Sequence, residues 1–91
     1  MIYKRFQATE TFWKAFHKLS PFQRMSAEAA LDVFKRNPFD RSLNTHKIEK
    51  LSARIGRTVY SVTIDGDLRA VFFIRDDAVV TFDIGTHDIY K

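Results

Sequence analysis

The sequence predicts an α+β fold: an N-terminal edge strand, then an αα-hairpin packed on an antiparallel sheet that ends in a three-stranded meander. Three observations predict it. Ser20-Pro21-Phe22-Gln23 places a capping serine, a proline at the first helical position and a glutamine three residues after the serine, so one helix ends and another begins there. After Gly56, three runs rich in β-branched and aromatic residues are separated by Asp65-Gly66-Asp67 and Arg75-Asp76-Asp77. The 91 residues hold nine Phe and no Cys, so packing rather than crosslinking must hold one domain, residues 1–91, together.

Ile2 to Phe6 reads as a short edge strand with Ile2, Lys4 and Phe6 on one side and Tyr3 and Arg5 on the other. Thr9 then caps a helix whose apolar positions are Phe12, Phe16 and Leu19, with Trp13 beside them. The second helix carries Ala27, Ala30, Leu31 and Phe34 on one stripe and stops at Asn37-Pro38, because the residue before a proline avoids helical geometry. Residues 39–56 show no sustained period and read as a long, partly packed loop anchored by Leu43, Ile48 and Leu51.

The meander comprises Thr58–Ile64, Leu68–Ile74 and Ala78–Ile84. Three-residue turns would pair Ile64 with Leu68, Val62 with Ala70 and Tyr60 with Phe72. The next hairpin would pair Ile74 with Ala78, Phe72 with Val80 and Ala70 with Phe82. All these pairs are apolar, and a one-residue slip would turn a whole set to the other face. On the opposite face this register gathers Ser61, Thr63, Arg69, Thr81 and Asp83 with Val71, Phe73 and Val79, and sets Arg69 between Thr63 and Asp83.

Net charge is +4, but unevenly spread: twelve Lys and Arg face five acids through Arg57, and three face six aspartates thereafter. Any polyanionic partner should therefore meet the basic stretch between Arg41 and Arg57. Lack of Cys excludes disulfide scaffolds, thiol nucleophiles and cysteine zinc sites. His17, His46 and His87 are too dispersed for a zinc motif, and three glycines make no phosphate loop. No apolar run is long enough to span a membrane. The start Met1-Ile2-Tyr3-Lys4-Arg5 lacks the apolar run of a secretory signal, which predicts a cytoplasmic protein without a membrane partner.

The ionisable residues that remain suit one chemistry. RNA cleavage without a metal needs a base for the 2′-hydroxyl, cations for the phosphorane and an acid for the 5′-oxygen. Arg69 in mid-strand, His87 just beyond the last strand, and His46, Lys47 and Lys50 in the basic loop are of those types. Tyr90 is placed either to stack on a base or to cap the core.

Four segments in order, Leu43-Asn44-Thr45-His46-Lys47-Ile48, Val59-Tyr60-Ser61-Val62, Asp67-Leu68-Arg69-Ala70-Val71-Phe72 and Ile84-Gly85-Thr86-His87-Asp88-Ile89-Tyr90, resemble the RelE/ParE superfamily of toxins from bacterial type II toxin–antitoxin systems. The resemblance implies a β-α-α-β-β-β toxin that cleaves mRNA in the ribosomal A site with no metal or other cofactor. It also implies a cognate antitoxin that wraps the toxin, with operator DNA met only through that complex. It assigns Arg69 to the scissile phosphate, His87 to general acid, Tyr90 to the C-terminal aromatic, and His46 or Lys47 to base or phosphate ligand. Lys50, Arg54, Arg57 and Lys91 become RNA contacts. The chain departs from several members in having no arginine just before the C-terminal aromatic, and Asp83 stands where it would pair with Arg69. A gyrase inhibitor of the ParE kind and a catalytically degenerate binding module with the same fold remain as alternatives.

Overall fold

The computed structural model describes residues 3–90, with the backbone alone of His87. The elements are β1 (Arg5–Ala8), α1 (Glu10–His17), α2 (Pro21–Arg36), β2 (His46–Lys47), α3 (Glu49–Ile55), β3 (Tyr60–Asp65), β4 (Leu68–Arg75) and β5 (Ala78–Gly85). Short 3₁₀ turns cover Arg41–Leu43 and His87–Tyr90. Among the described residues, five strands form one sheet in the order β1-β5-β4-β3-β2.

The helix boundaries follow the capping chemistry. Thr9 accepts the Phe12 backbone N–H at the start of α1. At α2, Ser20 and Gln23 each accept the other's backbone N–H, closing a capping box with Pro21 at the first position. Such a cap contributes about 1 kcal/mol. Both helices cover one sheet face, α1 over β5 and α2 over β3. There Phe12, Phe16, Ala27 and Phe34 pack on Val62, Leu68, Ala70, Phe72, Val79 and Ile84. Ring contacts run across this face from Phe6 to Phe34 to Phe72 to Tyr60 to Phe39, with centroids 5.0–5.7 Å apart.

The structure corrects the sequence-based expectations for the first strand, for residues 39–56 and for the hairpin registers. The first strand starts at Arg5, and Ile2 lies outside the described residues; β1 pairs parallel to β5, so the sheet is mixed. Parallel pairing is possible because the chain crosses from β1 to β5 through the whole helical layer. Residues 39–56 are no open loop: they hold a 3₁₀ turn, β2 and α3. Ile48, Leu51 and Ile55 carry helical spacing, and Gly56 ends α3 at φ +85°, a left-handed cap that glycine adopts without a Cβ clash.

Both hairpins turn in two residues, Gly66-Asp67 and Asp76-Asp77, with positive φ at the first, so Asp65 pairs with Leu68 and Arg75 with Ala78. The inner pairs Val62 with Ala70 and Tyr60 with Phe72 hold as predicted. In the second hairpin, Phe73 pairs with Val80 and Phe72 with Thr81, and then a bulge at Phe82 brings Asp83 opposite Val71 and Gly85 opposite Arg69. This sends Val79 and Thr81 to the helical face, and Asp83 does not stand across from Arg69.

Candidate active site

The sheet face away from α1 and α2 is covered differently. Leu51 of α3, Val59 and Val71 form a small core, with Ile48, Phe82, Ile89 and Tyr90 packed around it. Register aligns His46, Ser61, Val71 and Asp83 in one row across β2, β3, β4 and β5. Arg69 stands on the next rung of β4, between Thr63 and Gly85. From the strand spacing and rise, the Cα atoms of His46 and Arg69 lie roughly 12 Å apart.

The C-terminal 3₁₀ turn folds back over this row. Gly85 permits it, because a Cβ there would come 2.7 Å from Ile89 Cγ2. The Tyr90 hydroxyl hydrogen-bonds the fully buried Ser61 hydroxyl. Arg54 of α3 donates from Nη2 to the Tyr90 carbonyl at 3.1 Å. A side chain from α3 and one from mid-strand thus hold the segment that begins with His87. The sequence places Ser61 on the Arg69 face and counts Lys50 and Arg54 as RNA contacts, but it shows neither the helix that carries those two cations nor the bonds from Ser61 and Arg54 to Tyr90.

Arg69 donates from Nη1 to the Gly66 carbonyl at 2.6 Å and the Leu68 carbonyl at 3.2 Å. Carbonyls orient a guanidinium without cancelling its charge. Among the described residues no ion pair joins Arg69 to Asp83. Asp83 instead accepts the Ile84 N–H at 2.9 Å, and burial raises its carboxyl above the ordinary range against that bond.

His46 places Nδ1 3.0 Å from the Asn44 carbonyl. A carbonyl only accepts, so Nδ1 carries a proton, and in the neutral ring that leaves the lone pair on Nε2, the atom a general base needs. Lys47 pairs with Tyr60, so the pleat turns it away from the His46 side, and its Nζ meets Glu49 at 3.4 Å. The two neighbours are therefore split between faces, and only His46 shares one with Arg69. Lys50 and Arg54 are exposed one turn apart on α3, so that helix carries the basic rim. Arg57 places its guanidinium 4.6 Å from the Phe73 ring centroid. Tyr90 is anchored in the small core and braces the turn. The His87 side chain and Lys91 lie outside the described residues. Among the described residues, no three His, Asp or Glu stand together as a metal-holding group, and no helix is long and apolar enough to cross a membrane.

An aromatic core under two helices, a mixed five-stranded sheet and a C-terminal turn folded onto its far face define a class: the chain has a RelE/ParE-like toxin fold. A chain of the archaeal RelE–RelB complex from Pyrococcus horikoshii OT3 superposes with a TM-score of 0.69 at 15% identity, covering 93% of this chain and 96% of that one. A chain of the RelB–RelE antitoxin–toxin complex from Methanococcus jannaschii gives 0.71 at 12% identity, with 91% and 92% covered. The E. coli DinJ–YafQ toxin–antitoxin complex gives 0.71 at 10% identity, with 97% of each chain covered. At these identities the likeness is one of fold. Protein-family models and curated proteins give no match.

Proposed function

We propose that this chain is the toxin of a type II toxin–antitoxin pair and an endoribonuclease that cleaves mRNA on the ribosome without a metal. The observation that carries the reading is the shared sheet face: Arg69 held by carbonyls, His46 with Nδ1 on the Asn44 carbonyl, and the turn that begins with His87. The basic rim of α3 adjoins it. The fold shared with chains solved as toxin–antitoxin complexes supports the toxin role and a cognate antitoxin as partner.

In this mechanism His46 Nε2 takes the 2′-hydroxyl proton, and the 2′-oxygen attacks the adjacent phosphorus. Arg69 meets the growing phosphorane charge, and His87 protonates the departing 5′-oxygen, leaving a cyclic phosphate and a free 5′-hydroxyl. Lys50, Arg54 and Arg57 contact the RNA. Lys47 serves the rim on the opposite side, and Lys91 extends the footprint at the chain end.

Mapping mRNA 5′ ends in a translation extract tests this. Ribosome-dependent cuts that leave a cyclic phosphate and a free 5′-hydroxyl, and that disappear in Arg69→Ala and His87→Ala, support it. Intact mRNA with accumulating gyrase-cleaved DNA would refute it in favour of gyrase poisoning.

A further inference from the structure

Phe73 belongs to neither core cluster, yet it is a large aromatic on the same face of β4 as Arg69. Its neighbours are Phe82, with ring centroids 5.7 Å apart, and the guanidinium of Arg57 over its ring. Phe82 is the extra residue of the β5 bulge, with no partner opposite it on β4. Bulges concentrate beside active sites, where they re-aim a side chain. Here the bulge keeps both Phe82 and Asp83 on the Arg69 face and sets the Phe82 ring against Phe73.

Arg57 itself is exposed. Were it a phosphate contact alone, a seat over a ring would add nothing; a lysine would serve equally as a point charge. A guanidinium held over an aromatic ring instead offers a delocalised outer surface on which an unpaired base can stack, as bases do on arginine planes in single-stranded RNA recognition. From the strand rise, Phe73 lies about 13 Å from Arg69 along β4, so a base bound there is not the one at the cleaved phosphate.

We propose that Arg57, seated on Phe73 and braced by Phe82, is a stacking shelf for one unpaired base of the RNA strand whose backbone passes Arg69. The shelf rests on the ribonuclease reading above. It reads a base by its π-face and is therefore tolerant of sequence.

The test measures binding of a short, labelled, 2′-O-methyl RNA, which cannot be cut because its nucleophile is blocked, by fluorescence anisotropy. Arg57→Lys should weaken binding by about five- to twentyfold, close to the loss in Arg57→Ala, since base stacking rather than charge is removed. The salt dependence of Arg57→Lys should keep the wild-type slope, because the charge count is unchanged. Phe73→Leu should reproduce the loss, and Phe73→Tyr should restore binding. Scanning an abasic nucleotide along the RNA should find one position that weakens wild-type binding and leaves Arg57→Lys unaffected; a purely structural role for these residues yields no such coupling. Full binding by Arg57→Lys, or no abasic position coupled to it, overturns the shelf and leaves the ribonuclease reading standing. Wild-type protein that neither binds this RNA at low salt nor cuts mRNA in the extract overturns both.

Discussion

On the helical side of the sheet, Phe12, Phe34 and Phe72 are at most 3% exposed and their neighbours are aromatic and aliphatic. On the other side, among the described residues, the buried apolar cluster is Leu51, Val59 and Val71 with Ile48, Phe82, Ile89 and Tyr90 partly buried around it, and the same face carries Ser61, Asp83 and Arg69. One face can therefore tolerate almost no loss of volume. The other must keep polar groups oriented and pays for it with a thinner core. Stability and the proposed chemistry thus fall on different faces, and substitutions can break or sharpen that division.

The largest effect should come from Phe72→Ala, which empties the middle of the ring-to-ring contacts. It should destabilise the fold by about 3–5 kcal/mol in urea unfolding. Arg69→Ala comes next: cleavage should fall by about 10²–10³-fold, while the urea midpoint stays near wild type. If Arg69→Ala unfolds the protein instead, the division between faces is wrong at that residue.

Ser61→Ala lies between the two kinds. Losing its bond to the Tyr90 hydroxyl should cost about 1 kcal/mol of stability. Cleavage should also fall by about tenfold as the turn carrying His87 loosens, within the range of a single acid–base contribution. Tyr90→Phe should behave alike, and the two changes together should cost little more than either alone, which a double-mutant cycle measures.

The smallest effect is expected at Asp83. Burial raises its carboxyl in the folded chain, so the native state favours the protonated form more than the unfolded state does. The stability this gives is present below the ordinary Asp value and is lost as pH rises through the raised one. Asp83→Asn should thus raise the unfolding free energy measured in urea at neutral pH by no more than about a few tenths of a kcal/mol after solvent screening. Near pH 3, about where an ordinary Asp is mostly protonated, the gain should vanish.

Local chemistry made the helical face legible. The Thr9 cap, the Ser20–Gln23 box and the stop at Asn37 depend on neighbours within four residues, and each stands where the sequence puts it. The same holds for the inner pairs of the first hairpin. Helix α3 left a signal in Ile48, Leu51, Ile55 and Gly56, but at seven residues the periodicity completes barely two turns.

The sequence by itself determined the order of first strand, helical hairpin and closing meander, the helical caps, the aromatic core and the presence of Arg69 in mid-strand, because those follow from periodicity, capping and burial of Phe; it did not show β2 or α3. Only the tertiary structure decided which face each functional side chain joins. The two-residue turn and the Phe82 bulge together separated Asp83 from Arg69, the β2 pleat separated His46 from Lys47, and Ser61 and Arg54 hold the C-terminal turn on the sheet. Each depends on contacts between residues distant in the chain, where a one-residue change in turn length or register inverts the face and leaves the local pattern unchanged.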